Sequence, residues 1–114
     1  MTSSLLRATA AHRTLWGGDA TLVVRAPGRV NLIGEHTDYN EGFTMPMALP
    51  FDTVVAISDD GDHCSGIVTI ESEGFGRVEI DPRADPTQTV AWARHLAGVV
   101  SLLGREGIPA GGWR

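Results

Sequence analysis

The sequence has little of three features that would each indicate a particular class of protein. It contains a single cysteine, Cys64, which excludes an internal disulfide and agrees with a reducing cytoplasm. No apolar run approaches the roughly 20 residues that a membrane-spanning helix needs, and the first residues lack the basic, apolar and small-residue succession of a secretion signal. The formal net charge is -5, which favours neither nucleic acid nor an anionic membrane as a partner. We therefore expect a cytoplasmic protein that binds neither.

The rest of the composition is that of an ordinary globular domain. The 114 residues suffice for one compact domain, and 42% of them are hydrophobic. A helix is predicted over residues 3–15, with Ser3 or Ser4 as its cap and residues 17–19 as its end. A second helix is predicted over residues 89–105. Between them, alternating and β-branched segments predict strands at 21–25, 43–49, 52–58, 66–72 and 77–81, the last two joined by a hairpin loop at 73–76. This pattern predicts an α+β fold.

One stretch, residues 25–40, is much richer in polar side chains than the apolar runs on either side of it. Pro27, Gly28 and Gly34 punctuate its backbone. So many hydrogen-bonding groups are costly to bury without a partner. They suit a pocket for a polyhydroxylated ligand, because each hydroxyl needs a donor and an acceptor. The polar or amphipathic side chains are Arg29, Asn31, Glu35, His36, Asp38, Tyr39 and Asn40.

Residue types alone leave several interpretations of this stretch open. Glu35, His36 and Asp38 fit hydrogen bonding to sugar hydroxyls, ligation of a metal ion, or a solvated turn. Arg29 fits a surface arginine, a cation beside a transferring phosphoryl group, or one that lowers the pKa of a nearby base. Tyr39 fits either a sugar contact or a half-buried anchor. Asn31 is interpreted as a residue that ties down the loop backbone.

The remaining polar residues are interpreted as structural. His12, His63 and His95 are isolated in the sequence, so we predict that they are surface histidines. Asp59, Asp60 and Asp62 form an acidic turn that lacks the rest of a calcium-loop spacing, so solvated charge is predicted there.

The run from Gly28 to Tyr39 resembles the first motif of galactokinase. That enzyme belongs to the GHMP superfamily of small-molecule kinases, together with homoserine, mevalonate and phosphomevalonate kinases. The continuation Glu35-His36-Thr37-Asp38-Tyr39 is what distinguishes galactokinase from the other members. The similarity extends through residues 43–49 and, more loosely, through 92–99. It implies the N-terminal part of the ribosomal-protein-S5-like fold of these kinases.

The resemblance implies ATP-dependent phosphorylation of α-D-galactose at its C1 hydroxyl, with ATP and Mg²⁺ as cofactors. Arg29 is then the catalytic cation, Trp92 at the start of the second helix lies at the adenine, and no residue of this chain is a metal ligand. Where family members often place Asn-Tyr, this chain has Arg94-His95. The sugar-binding residues implied are Glu35, His36, Thr37, Asp38 and Tyr39.

Galactokinases are longer than this chain, and carry further on a glycine-rich phosphate loop and an aspartate that acts as base. Neither occurs within the 114 residues. We therefore expect an N-terminal fragment that is inactive alone and belongs to a monomeric enzyme. Its expected parts are an N-terminal helix and turn (1–19), a portion with the sugar motif (20–109) and a truncated tail (110–114). The alternatives are an N-acetylgalactosamine kinase and a galactokinase-like sugar sensor without turnover.

Overall fold

The computed structural model describes residues 3–61 and 66–114, and the chain divides into two compact units, Met1–Ala56 and Ile57–Arg114. The predictions made for Asp62, His63 and Cys64 lie outside the described residues. The architecture combines two α-helices with two small sheets, so the predicted α+β class is confirmed. No helix in the described part of the chain is both long and apolar enough to cross a bilayer.

The first unit opens with the predicted helix, α1 (Ser4–Trp16). The Ser3 side chain accepts a hydrogen bond from the backbone N–H of Leu6, which satisfies one of the free donors of the first turn. Gly17 ends the helix in the left-handed conformation (φ 75°), and its N–H donates to the carbonyl of Arg13. Both predicted end signals are therefore confirmed.

His12, on α1, is not a surface histidine as predicted. Its side chain is only 4% exposed, and its Nδ1 lies 3.1 Å from the carbonyl oxygen of Gly18. Isolation in the sequence did not reveal this, because the partner is a backbone carbonyl, which every residue carries.

The two strands of the first unit, β1 (Leu22–Ile33) and β2 (Met45–Ile57), form a two-stranded sheet. Arg25 bonds to Asp52, whereas Gly34 lies beside Phe43, so the strands run antiparallel. β1 is longer than the predicted strand 21–25, and β2 is one strand where 43–49 and 52–58 were predicted separately. Proline is tolerated here because both strands of a two-stranded sheet have a free edge.

One face of this sheet is almost wholly apolar. Side chains alternate along a strand, and a Cβ built on Gly28 would lie 3.7 Å from the Cβ of Leu49, so even positions of β1 share a face with odd positions of β2. Apart from the half-buried Leu49, the large side chains of this face are exposed, from 40% at Val30 to 72% at Phe51. We call this set the apolar face: Leu22, Val24, Val30, Leu32, Met45, Met47, Leu49, Phe51 and Val55.

The second unit contains the predicted hairpin. Strands β3 (Val68–Ser72) and β4 (Gly76–Ile80) pair antiparallel, with Val68 opposite Ile80 and Ser72 opposite Gly76. Its last helix, α2 (Arg94–Arg105), begins five residues later than predicted. Two 3-10 turns precede it, because Val90 is extended and the N–H of Ala93 donates back to the Val90 carbonyl.

The hydrophobic core of the described residues lies in this second unit. Val68 and Ile80 of the hairpin pack with Ala97 and Val100 of α2 and with Ala110. The last residues run beside the hairpin: Gly112 donates to the Ile67 carbonyl, and Arg114 exchanges backbone hydrogen bonds with Ser58. Gly111 approaches Gly66 so closely that an added Cβ would lie 2.2 Å from the Gly66 oxygen.

Candidate functional site

The loop that joins β1 to β2, residues 34–44 and here called the site loop, is closed by its own hydrogen bonds. The Thr37 hydroxyl lies 2.9 Å from the carbonyl of Gly34 and 2.7 Å from that of Phe43, so its single proton is shared between the two ends of the loop. The backbone N–H of Gly42 donates to the Thr37 carbonyl at 2.7 Å. Thr37 thus fixes the loop's shape, a function distinct from the predicted sugar contact.

Glycine is required at both ends of the site loop. Gly34 has φ 95°, and a Cβ built on it would lie 2.5 Å from the Phe43 carbonyl oxygen. A Cβ on Gly42 would lie 2.7 Å from the Cβ of Thr37. Contacts this short force the backbone to move, so Gly34 permits the close approach of the two ends of the loop, and Gly42 permits the close approach of Thr37 within it. The sequence marked Gly34 as punctuation but carried no signal for the contact at Gly42.

A single 3-10 turn, Asp38–Asn40, places the functional side chains on the loop. One oxygen of Asp38 accepts the Tyr39 backbone N–H at 2.8 Å. The Asn40 side-chain amide donates to the His36 carbonyl at 2.8 Å, and its backbone N–H donates to Thr37. Sequence reasoning assigned Asn40 no individual role, although asparagine commonly bonds to nearby backbone in turns.

His36 and Tyr39 form a pair across this turn. The Tyr39 hydroxyl lies 2.6 Å from His36 Nδ1, and the rings meet edge to face, with centroids 6.1 Å apart and planes at 76°. Tyr39 is 70% exposed, which does not fit the half-buried anchor considered from the sequence. Its hydroxyl is committed to His36 in this structure.

Charged groups of both signs remain available around the turn. Glu35 and Arg29 are exposed and, within the described residues, bond to no other side chain. Asp38 uses one oxygen for the Tyr39 N–H, and its other oxygen is open to a ligand. In the described ranges no three His, Cys, Asp or Glu side chains are grouped to hold a metal ion. The structure therefore brings Glu35, His36, Thr37, Asp38 and Tyr39 together on one loop, with Arg29 on β1.

Trp92 belongs to the second unit and lies in the 3-10 turn Ala91–Ala93, so its predicted position on the second helix is wrong. Its half-buried ring faces Phe75 at the tip of the hairpin, with centroids 5.9 Å apart and planes at 36°. Phe75 is 67% exposed. No sequence signal linked these two residues, because the pair forms only when the hairpin and the turn pack together.

Arg94 is occupied locally, since its Nε donates to the Thr89 carbonyl at 3.0 Å, and His95 is exposed as predicted.

Comparison with known proteins shows what this site is similar to. A galactokinase galactose-binding signature matches residues 10–59, which span most of α1, both strands of the first sheet and the whole site loop. Arg29 and the run from Glu35 to Tyr39 therefore lie inside the matched region.

Three curated relatives agree. The galactokinase of Mycobacterium tuberculosis is 43% identical over 95 residues, which is 81% of this chain and 25% of the relative. That of Actinobacillus succinogenes is 39% identical over 83 residues (73% and 22%), and that of Mannheimia succiniciproducens is 39% identical over 82 residues (72% and 21%). The chain spans about a quarter of the length of these relatives. By its signature and its relatives, the chain is similar to one part of the galactokinases.

Proposed function

We propose that this chain forms the sugar-binding part of a galactokinase, which transfers the γ-phosphoryl group of ATP to the C1 hydroxyl of α-D-galactose. One observation carries the proposal: the matched signature includes a self-closed loop that bears two exposed carboxylates and an exposed imidazole within four consecutive residues. The similarity to galactokinases further supports the ribosomal-protein-S5-like fold.

The chemistry of the loop suits a sugar. Ionised Glu35 and Asp38 accept protons from hydroxyls in charge-assisted bonds, which are stronger than neutral ones. His36 adds one donor or acceptor, depending on its tautomer. Adjacent hydroxyls on a hexose ring present donors and acceptors. Donors and acceptors that are fixed on the loop can therefore recognise how these hydroxyls are arranged. Because Thr37, Gly34 and Gly42 hold the loop closed, little further ordering is needed when the sugar binds.

Arg29 supplies the cation in this proposal. Phosphoryl transfer depends mainly on positioning the reactants and on neutralising charge on the transferring group. Arg29 is exposed and engaged with no carboxylate of the described residues, so its guanidinium is free to bond phosphate oxygens. A planar guanidinium binds phosphate in a fixed two-point geometry.

ATP and Mg²⁺ are proposed as cofactors, with adenine at Trp92. The Phe75–Trp92 pair offers a partly exposed aromatic surface, which fits a flat heterocyclic base. When bound, ATP supplies the phosphoryl group. This chain's own contribution is to orient the base and the sugar, and no residue of it is assigned to the metal.

The test is calorimetric titration of the chain with galactose, N-acetylgalactosamine and glucose, followed by a coupled assay for ADP release with ATP and Mg²⁺. We expect galactose to bind more tightly than glucose, which differs at one hydroxyl. Tighter binding of N-acetylgalactosamine than of galactose would replace the proposed substrate. Equal binding of all three sugars would remove the sugar-site proposal.

A further inference from the structure

We propose that Tyr39 is a positioning residue for His36: its hydroxyl donates to Nδ1, holds the imidazole in the Nε2–H tautomer, and makes His36 a hydrogen-bond donor to a sugar oxygen. The inference rests on the proposed sugar-binding function. It assigns Tyr39 an action through His36 and not a contact with the sugar.

The turn holds His36 and Tyr39 in one relative position. The two residues are three positions apart: Tyr39 lies in the 3-10 turn, and His36 lies in the turn just before it. Both backbone ends of the pair are held, because Asn40 donates to the His36 carbonyl and Asp38 accepts the Tyr39 N–H. The 2.6 Å separation and the edge-to-face rings therefore belong to a fixed arrangement.

In the hydrogen bond between Tyr39 and His36, the hydroxyl is the donor. A tyrosine hydroxyl carries one proton, which it can donate. A neutral imidazole has one nitrogen with a proton and one with a lone pair. Because the phenol lone pair is delocalised into the ring, phenol is the better donor and the imidazole nitrogen the better acceptor. Nδ1 then accepts, and the ring proton lies on Nε2, since the partner of one nitrogen sets the state of the other.

A fixed tautomer of His36 affects how the loop recognises the sugar. Glu35 and Asp38 both accept hydrogen bonds when ionised. When His36 is fixed as a donor, the site has acceptors and a donor in defined places. An imidazole that is free to change tautomer would not supply a donor in a defined place. Loss of the Tyr39 hydroxyl removes one net hydrogen bond from the assembled site, which corresponds to roughly 2- to 12-fold in affinity.

The tautomer is tested by nitrogen NMR on the chain with ¹⁵N-labelled histidine, at a pH of about 8, where an ordinary histidine is neutral. The His36 signals are assigned from their loss in His36→Gln. We expect an unprotonated Nδ1 in the wild type and a mixture of tautomers in Tyr39→Phe, which keeps the ring and removes only the hydroxyl. Phe51→Leu, at another exposed aromatic of the same unit, is the matched control. A protonated Nδ1 in the wild type, or the same tautomer in Tyr39→Phe, would overturn the proposal.

Galactose titration of a double-mutant cycle gives the second readout. If Tyr39 acts through His36, Tyr39→Phe weakens binding in the wild type but adds nothing in the His36→Ala background. Additive losses would make Tyr39 a direct sugar contact and overturn the inference. The proposed sugar-binding function is tested by a different outcome. If both His36→Ala and Asp38→Ala leave galactose affinity unchanged, the sugar-binding proposal is wrong, and the NMR result still decides whether Tyr39 sets the tautomer of His36.

Discussion

The hydroxyl of Ser4, at the start of α1, donates a hydrogen bond to the carboxylate of Asp52 on β2. The second oxygen of Asp52 accepts from Arg25 on β1, at 2.5 Å. Asp52 therefore joins the helix and both strands of the first unit, and its side chain is only 14% exposed. The hydrogen bond from Ser4 and, after it, the bond from Arg25 lower the pKa of Asp52 below its ordinary value of 3.8.

This link predicts acid sensitivity of the first unit. Because the pKa of Asp52 is lower in the folded chain than in the unfolded chain, its contribution is complete above about pH 4. It is lost as the pH falls through the folded pKa, since the unfolded state then binds more protons. We expect Asp52→Asn to lower the free energy of unfolding at pH 7 and to flatten its fall below pH 4, as measured by denaturant unfolding at several pH values.

The control is Asp19→Asn, which also removes one acidic side chain paired with an arginine but at a far more exposed position. Exposed pairs contribute little, so this variant should keep the wild-type pH profile. Asp81 and Asp85 also have lowered pKa values, the first through Arg83 and the second through Thr87. Some acid sensitivity therefore remains in Asp52→Asn, and an unchanged profile in that variant would contradict the prediction.

Gly34→Ala is predicted to distort the site loop. The added Cβ would lie 2.5 Å from the Phe43 oxygen, at a φ of 95° that side chains rarely adopt. Strained backbone of this kind costs about 1–3 kcal/mol, and relief of the clash separates the two ends of the loop. We expect a lower free energy of unfolding and weaker galactose binding, measured by denaturant unfolding and by calorimetry.

Gly18→Ala is the matched control for this change, because an added Cβ there meets no atom within 4 Å. It should leave both quantities near the wild-type values. Equal stability of Gly34→Ala and the wild type would show that the loop tolerates a side chain at this position.

The elements best predicted from the sequence were those specified by neighbours in the chain. The α1 ends follow from Ser3 and Gly17, and the hairpin β3–β4 follows from alternation around the turn. Errors arose where the answer depended on distant groups. Residues 43–49 and 52–58 were predicted as two strands, but they form the single strand β2, because the free edge of a two-stranded sheet tolerates the proline between them. His12 was predicted to be exposed, but it is buried, and its Nδ1 lies beside the Gly18 carbonyl.

In the candidate site, too, the set of residues was predictable from the sequence, but the contacts among them were not. The residues of the loop were predicted as a set because they are contiguous, and the structure keeps Glu35, His36 and Asp38 together. The internal bonds were not predictable: nothing in the sequence says that Thr37 closes the loop or that Tyr39 turns toward His36. Those contacts depend on the backbone conformation of one 3-10 turn, which composition and periodicity do not determine.

The apolar face predicts that the folded chain self-associates as its concentration rises. Its side chains are mostly exposed, and within the described residues of the first unit no hydrophobic side chain is fully buried. An uncovered apolar sheet with free edges tends to aggregate. We expect concentration-dependent light scattering, and we expect Val30→Thr with Phe51→Thr to reduce it because both side chains lie on this face.

Leu102→Thr is the control, since Leu102 is similarly exposed but lies on α2 in the second unit. It should leave the scattering nearly unchanged. A chain that stays monomeric at every concentration tested would contradict the prediction, because it would show that the face does not drive association.

Asp38→Ala is predicted to weaken galactose binding far more than ATP binding. The carboxylate has one oxygen on the Tyr39 N–H and the other open to the ligand, so the change removes a charge-assisted bond to a hydroxyl and one support of the turn. Such a bond contributes about 1.5–3 kcal/mol, which corresponds to roughly 10- to 150-fold in affinity.

Calorimetry with galactose and ATP in separate titrations measures both affinities, in wild type, in Asp38→Ala and in Asp38→Asn. The asparagine keeps an oxygen that can accept the Tyr39 N–H but removes the charge, so it separates support of the turn from binding of the sugar. If the charge binds the sugar, Asp38→Asn retains the fold of the loop yet loses most of the affinity. Wild-type galactose affinity in Asp38→Asn, with a loss in Asp38→Ala alone, would make Asp38 a support of the Tyr39 backbone and not a sugar ligand.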